Sequence, residues 1–226
     1  FIANQIHFKA NALNAGLKAL GYDIVEEPVF DTVKFRMNEE EKKSLMFLML
    51  DRKINLNYFT DGFVSIALNE TTTLEKLQSL FDAFAQFKDK QSFKLTLKEE
   101  ILIPEQFLRN DEILKEEVFN KYHTETELMR YIKRLERKDL SLTHSMISLG
   151  SCTMKLNAAT QMLPISWPEW GSVHPFVPTD QAGGYQQLIK ELEKDLAEIT
   201  GFAGTSLQPN SGAQGEYAGL MVIREY

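Results

Sequence analysis

Residues 205–217 combine, in one short stretch, an apolar run, a glycine-rich turn and the start of a helix. They read Thr-Ser-Leu-Gln-Pro-Asn-Ser-Gly-Ala-Gln-Gly-Glu-Tyr. A helix N-terminus carries unpaired N–H donors and the positive end of the helix dipole, so it can bind a phosphate without any basic side chain. Because residues 217–226 look like an opening helix, we expect the chain to be an excerpt of a larger cofactor enzyme that ends just after its phosphate site.

The same turn has a simpler interpretation as a tight connector, since glycine is the usual residue wherever a backbone turns sharply. It is not a Walker loop, because no Gly-Lys-Ser/Thr follows, and it lacks the Gly-x-Gly-x-x-Gly pattern of a dinucleotide site. From the residues alone, phosphate binding and a plain connector both stay open.

Composition excludes several classes of protein. The 226 residues are 43% hydrophobic and 25% charged, which is typical of a globular protein and argues against disorder. A net charge of -7 and a pI near 5.2 make nucleic acid an unexpected partner. No apolar stretch approaches the roughly 18 residues of a membrane helix. The single cysteine, Cys152, excludes an internal disulfide and favours a reducing compartment.

Residues 1–90 alternate between helix and strand patterns. A first helix is predicted from the spacing of its leucines and ends near Gly21, a second begins after Asn38, and a third begins at a capping box, Thr72-x-x-Glu75. Asp61-Gly62 predicts a tight turn between two strands. We therefore expect a small α+β unit, with strands at Val29–Phe35, Ile54–Tyr58 and Phe63–Leu68.

The rest of the chain is less regular. Phe93, Leu95 and Leu97 alternate like a strand, and Thr124-x-x-Glu127 is a second capping box that predicts a helix. Residues 141–178 show little periodicity, and a long irregular segment of this kind is usually functional. A long helix is then predicted from Tyr185 to about Gly201, followed by a strand at Thr205–Gln208.

Residues 150–157, Gly-Ser-Cys-Thr-Met-Lys-Leu-Asn, concentrate hydroxyls, a thiol, a cation and an amide. They fit equally an ordinary surface loop or an active-site loop that binds an anionic substrate. Cys152 has no identifiable base, so a packing role is favoured over a nucleophile. The four histidines show no ligand spacing, so no metal site is predicted. His174, in a proline-rich loop, could contact a bound heterocycle or be structural.

Four blocks, taken together and in order, resemble the P protein family of the glycine cleavage system. That family consists of pyridoxal-phosphate-dependent glycine dehydrogenases (decarboxylating). The resemblance is specific over 122–226 and looser over 1–121, where it rests on Phe30-Asp-Thr-Val33 and Leu68-Asn-Glu-Thr-Thr-Thr73. The four blocks are Ser148-Leu-Gly-Ser-Cys-Thr-Met-Lys-Leu-Asn157, Val173-His-Pro-Phe176, Asp180-Gln-Ala-Gly-Gly-Tyr-Gln-Gln-Leu188 and Gln208-Pro-Asn-Ser-Gly-Ala-Gln-Gly-Glu-Tyr-Ala-Gly-Leu220.

The resemblance implies an α/β architecture made of parts of a fold-type I pyridoxal-phosphate enzyme. Residues 1–90 would be the small α+β domain that closes the first half of the protein. Residues 91–140 would be a connecting segment with a helix. Residues 141–226 would start the second, catalytic half, whose large domain is built on a mostly parallel sheet.

The resemblance also implies a reaction. Glycine is decarboxylated through a pyridoxal-phosphate aldimine, and its aminomethyl group passes to the lipoyl group of the H protein. Cofactor-binding residues would be Ser211, Gly212, Ala213 and Gln214. Residues lining the substrate or lipoyl entrance would be Ser151, Thr153, Lys155 and His174.

No catalytic residue is expected within this segment, because the family's Schiff-base lysine follows a histidine and no His-Lys pair occurs here. The isolated chain is therefore expected to be inactive. Other implied partners are the remaining glycine cleavage components and a second subunit, with neither nucleic acid nor membrane. Localisation would be cytoplasmic in a bacterium and mitochondrial in a eukaryote. Ser148 departs from the proline usual in the family, which affects loop stiffness more than chemistry.

Two other functions remain open at this stage. The chain could be a non-catalytic scaffold or interaction module, or part of another fold-type I enzyme such as an amino-acid decarboxylase or aminotransferase. The run from Gly150 to Asn157 favours the P protein family over both.

Overall fold

The computed structural model describes residues 1–25, 27–139, 144, 146 and 157–226. The chain divides into two units, Phe1–Leu114 and Lys115–Tyr226. Buried residues occur in the first unit, whereas every residue described in the second is at least partly exposed. The three-part division at residues 90 and 140 stays a prediction.

The first unit is a small α+β fold, as its sequence predicts. Its strands are β1 (Asp23–Ile24), β2 (Thr32–Arg36), β3 (Asn57–Tyr58) and β4 (Phe63–Ala67). They form one antiparallel sheet in the order β1-β2-β4-β3, in which Val33 lies opposite Ile66. A short 3-10 turn, Glu105–Phe107, follows. The described helices and strands are, in chain order, α1 (Ile2–Ala19), β1 (Asp23–Ile24), β2 (Thr32–Arg36), α2 (Glu39–Asp51), β3 (Asn57–Tyr58), β4 (Phe63–Ala67) and α3 (Leu74–Phe87).

Side-chain caps begin two of these helices. Asn38 accepts the backbone N–H of Glu41 at 2.8 Å, which confirms the predicted start of α2. Helix α3 begins one residue later than predicted, because Thr73 is the residue that accepts the N–H of Lys76. Thr72 is used differently: its hydroxyl accepts the backbone N–H of Asn69 and closes the preceding turn.

An aromatic cluster lies at the centre of the core. Tyr22, Phe35 and Phe84 meet edge to face, with ring centroids 5.2–5.7 Å apart. The Tyr22 hydroxyl donates to the backbone carbonyl of Phe84 at 2.9 Å, and burial, reinforced by the charge of Glu41, raises the pKa of Tyr22. The cluster therefore joins the sheet to α3 through both apolar contact and a hydrogen bond.

The predicted strand at residues 93–97 is wrong. The backbone of this segment forms hydrogen bonds with the side chain of Gln78 instead of with a neighbouring strand. The N–H of Leu95 donates to Gln78 Oε1, and Gln78 Nε2 donates to the carbonyl of Phe93, both at 2.9 Å. Leu95 packs so closely on α1 that a Cβ added to Gly16 would lie 2.7 Å from it. A side chain at position 16 would therefore force Leu95 and the buried ring of Phe81 to shift, because the added Cβ would lie 2.7 Å from that ring as well.

The second unit consists of helices and turns in its described part. The capping box of α4 is confirmed, since Thr124 and Glu127 each accept the other's backbone N–H. Gly201, with φ of +75°, ends α7 as predicted. The described elements are a 3-10 turn at Glu117–Asn120, α4 (Glu125–Glu136), α5 (Ala159–Met162), a 3-10 turn at Leu163–Ser166, α6 (Pro168–Gly171), a 3-10 turn at Thr179–Gln181, α7 (Gly183–Thr200) and α8 (Gly212–Glu225).

The predicted strand at Thr205–Gln208 is wrong for this chain. A strand exists only beside another strand, and the described residues of the second unit contain none. The backbone N–H of Leu207 instead donates to the carboxylate of Glu193 on α7 at 3.1 Å. The mostly parallel sheet of the second half therefore stays a prediction.

The long helices of the second unit expose their apolar side chains. Helix α7 forms where the leucine and isoleucine spacing predicts it, and Leu188, Ile189 and Leu192 on that face are 42–47% exposed. A helix with apolar residues on most of its surface normally lies inside a protein. Of these helices, α8 has the most apolar surface. The exposed side chains are Leu128, Met129, Ile132, Leu135, Leu188, Ile189, Leu192, Ile199, Tyr217, Leu220, Val222 and Ile223.

Replacing the central aromatic of the core tests where stability resides. Phe84→Ala should lower the free energy of unfolding by about 3–5 kcal/mol, because it removes a fully buried ring. Phe47→Ala on α2, whose ring is 69% exposed, is the matched control and should change it by less than about 0.5 kcal/mol. Urea denaturation followed by circular dichroism measures both. Equal losses would contradict the assignment of the core.

Hydrogen exchange tests the difference between the two units. In the 226-residue chain, amides of α1 and α3 should exchange roughly a hundredfold or more slowly than those of α7 and α8, because little burial opposes the opening of the latter. Exchange followed by mass spectrometry resolves these helices. Comparable protection in α3 and α8 would show that the second unit is as stable as the first.

Candidate functional site

The candidate site is the N-terminus of α8. Ser211 is the N-cap, with an extended backbone at φ -154° and ψ 167°, and its Oγ accepts the backbone N–H of Gln214 at 3.4 Å. Gln214 in turn accepts the backbone N–H of Asn210 on its Oε1 at 2.9 Å. The two contacts of Gln214, one to the N-cap Ser211 and one to the preceding Asn210, hold the turn and the first helical residues together.

Two backbone N–H groups remain for a ligand. Gly212 and Ala213 lie in the first turn of α8, where a helix has no acceptors of its own to offer. Within the part of the chain that the structure describes, no hydrogen bond from either group is found. Both residues are exposed, and a Cβ added to Gly212 would meet nothing within 4 Å. The geometry fits an anion placed at the positive end of the helix dipole.

The four predicted cofactor residues therefore have different hydrogen-bonding roles. Gly212 and Ala213 offer N–H donors. Ser211 uses an Oγ lone pair on Gln214 and keeps its O–H as a donor. The N–H of Gln214 is already bound, so this residue supports the turn. A phosphate oxygen at this site would thus meet up to three donors, from residues 211–213.

The remaining predicted residues are only partly visible. Ser151, Thr153 and Lys155, together with Cys152, lie outside the described residues. His174 is exposed, and its Nδ1 accepts the backbone N–H of Phe176 at 3.0 Å. Among the described residues, no hydrogen bond joins His174 to residues 211–214. Of the four predicted substrate residues, the structure therefore describes His174 alone.

Sequence reasoning missed two supporting contacts. One is the bond from the backbone N–H of Asn210 to the side chain of Gln214. Gln214 is the third residue of α8, and an amide at that helix position was an available signal. The other closes the loop that carries His174: the Tyr185 hydroxyl donates to the carbonyl of Trp170 at 2.5 Å, and their rings meet edge to face at 5.0 Å. No local sequence pattern marks that second contact.

Two further observations concern the described ranges alone. They contain no group of three or more histidine, cysteine, aspartate or glutamate side chains placed to hold a metal ion. None of their helices has both the length and the apolar character that a membrane crossing requires.

Comparison with known proteins identifies the family that this chain resembles. Residues 1–84 match the family model described as glycine cleavage system P-protein. Over its whole length the chain is 53% identical to the glycine dehydrogenase (decarboxylating) of Christiangramia forsetii, 49% to that of Nostoc punctiforme and 46% to the mitochondrial one of Dictyostelium discoideum. The resemblance predicted from the four blocks is confirmed.

The chain spans about a quarter of the length of the curated relatives that it matches. It covers 24% of the two bacterial proteins and 23% of the Dictyostelium protein. All three alignments include the whole of this chain.

Solved structures show a much weaker likeness. Two serine palmitoyltransferase chains, one from S. paucimobilis, match 38% and 36% of this chain and 24% and 23% of their own. Their TM-scores are 0.35 and 0.33, at 18% and 19% identity. At TM-scores this low, the likeness defines neither the fold nor the function of this chain.

Substitution of the N-cap tests the geometry of the site without a ligand. Ser211→Ala should destabilise the first turn of α8 by about 0.5–2 kcal/mol, because the N–H of Gln214 loses its acceptor. Carbon-13 chemical shifts of residues 212–216 should then move towards coil values. Ser211→Asp keeps an acceptor and should leave those shifts helical. Unchanged shifts in the alanine variant would contradict the cap.

Proposed function

We propose that this chain is part of a pyridoxal-phosphate-dependent glycine dehydrogenase (decarboxylating) and that the N-terminus of α8 binds the phosphate of the cofactor. Identity of about half over the full chain to proteins of that name supports the activity. The observation that carries the assignment of the site is the pair of exposed N–H groups at Gly212 and Ala213.

Residues 211–213 would hold the phosphate by direct hydrogen bonds. The N–H groups of Gly212 and Ala213 donate to its oxygens, and the Ser211 hydroxyl adds a third donor. Bonds of this charge-assisted kind are about twice as strong as neutral ones, so the site needs no cation. Gln214 acts indirectly, since its contacts to Ser211 and Asn210 keep the donors in place.

The cofactor, when bound, supplies an electron sink for breaking the bond between glycine and its carboxyl group. This chain's own residues would bind and orient. Lys155 offers a cation to the glycine carboxylate, and the hydroxyls of Ser151 and Thr153 offer hydrogen bonds at the entrance used by substrate or lipoyl arm. His174 is assigned to the same pocket as a further hydrogen-bonding group.

The covalent anchor of the cofactor would lie elsewhere in the protein, because no His-Lys pair occurs in these 226 residues. The lipoylated H protein would accept the aminomethyl group, and the complete enzyme would act as a dimer with the other glycine cleavage components. The compartment would be the cytoplasm in a bacterium and the mitochondrial matrix in a eukaryote.

Glycine substitutions in the full-length protein that carries this sequence test the phosphate site. Gly212→Val should weaken retention of pyridoxal phosphate by roughly tenfold or more, because a branched side chain blocks the approach to N–H donors worth about 1.5–3 kcal/mol each. Cofactor absorbance after dialysis and glycine decarboxylation with lipoylated H protein give the two readouts.

Gly219→Val is the matched control for this experiment. Gly219 lies further along the same helix, beyond the first turn whose N–H groups would bind the phosphate. We expect this variant to retain the cofactor much better than Gly212→Val. Equal retention of the cofactor in the two variants would contradict the assignment of the phosphate site to residues 211–213. A cofactor-loaded protein that never releases carbon dioxide from glycine would instead contradict the reaction.

A further inference from the structure

The imidazole of His174 is held by a neighbouring backbone group. The backbone N–H of Phe176 donates to Nδ1 at 3.0 Å. An N–H can donate only to a ring nitrogen that carries no proton, so the proton of the neutral imidazole must be on Nε2. The hydrogen bond therefore selects one of the two tautomers.

The chain around His174 is built to present this particular N–H. Pro175 has no N–H of its own, so the first donor that follows the histidine is that of Phe176. The next residue closes the turn, since the N–H of Val177 donates to the carbonyl of His174 at 3.0 Å. The contact between Trp170 and Tyr185 then joins the two ends of the loop.

We propose that the backbone N–H of Phe176 is a positioning group that fixes His174 as an Nε2–H hydrogen-bond donor, and that this donor binds the carboxylate of the substrate. With Nδ1 occupied and Nε2 protonated, the neutral ring has no free lone pair with which to take a proton. His174 is therefore suited to donate a hydrogen bond and not to act as the base. The choice of the glycine carboxylate rests on the proposed function, whereas the tautomer does not.

Nitrogen-15 NMR of the 226-residue chain tests the tautomer without cofactor or activity. At alkaline pH, Nδ1 should show the shift of an unprotonated nitrogen and Nε2 that of a protonated one. A scalar coupling through the hydrogen bond should connect Nδ1 to the backbone nitrogen of residue 176. Phe176→Leu keeps the N–H and should keep the coupling.

Phe176→Pro removes the donor, so the coupling should vanish and the share of the Nδ1–H tautomer should rise. Absence of the coupling in the unaltered chain, or an Nε2 that is unprotonated, would overturn the proposal. The coupling in the unaltered chain is measured without any variant. The proposal is therefore tested even if the Phe176→Pro variant fails to fold.

Kinetics of the full-length protein test whether His174 donates a hydrogen bond to the substrate or has only a structural role. Glutamine places its amide N–H groups near the position of Nε2, and asparagine places them near Nδ1. His174→Gln should therefore leave KM for glycine within about threefold, whereas His174→Asn should raise it about tenfold, the value of one hydrogen bond to a charged group. Equal KM values in the two variants would overturn the assignment to substrate. A protein without glycine decarboxylation would fail the proposed function, and the NMR result would still decide the tautomer.

Discussion

The two units of this chain differ in how far their apolar side chains are buried. In the first, the rings of Tyr22, Phe35 and Phe84 pack edge to face between the sheet and α3 and exclude water. In the second, side-chain caps begin α4 and α8, Gly201 ends α7, and no described residue is fully buried. Since burial is the dominant favourable contribution to folding, the first unit has a source of stability that the described part of the second lacks.

This difference bears directly on the candidate site, because α8 belongs to the exposed unit. Its N-terminus is organised by local contacts alone, namely the cap at Ser211 and the bond from Asn210 to Gln214. In this structure, neither the N–H of Gly212 nor that of Ala213 has a hydrogen-bond partner among the described residues. The body of α8 is apolar on most of its surface, so a protein several times longer, as the relatives are, is the setting in which such a helix would be fully packed.

Local rules predicted local structure well. Asn38 and the Thr124–Glu127 box begin their helices, and Gly201 ends α7, because a cap depends on residues within one turn of itself. Gly62, with φ of +83°, forms the turn that Asp61-Gly62 predicts. At the site, the sequence predicts a helix after the glycine-rich turn, over residues 217–226, whereas α8 already begins at Gly212.

Predictions failed where the outcome depends on distant partners. The alternating residues 93–97 have the pattern of a strand, but Gln78 binds their backbone, and no sequence rule foresees that competition. Thr205–Gln208 forms no strand because the described second unit offers no strand to pair with it. Within the site, the engagement of the Gln214 N–H by Ser211 changes which residues can donate to a ligand, a detail of side-chain geometry that the glycine-rich pattern cannot reveal.

The central claim is that the N–H groups of Gly212 and Ala213 bind the phosphate of pyridoxal phosphate. A crystal structure of the full-length protein with its cofactor tests this most directly. The account predicts phosphate oxygens about 2.7–3.2 Å from both backbone nitrogens. A phosphate held by other residues, with these two nitrogens bonded to protein or water, would contradict it.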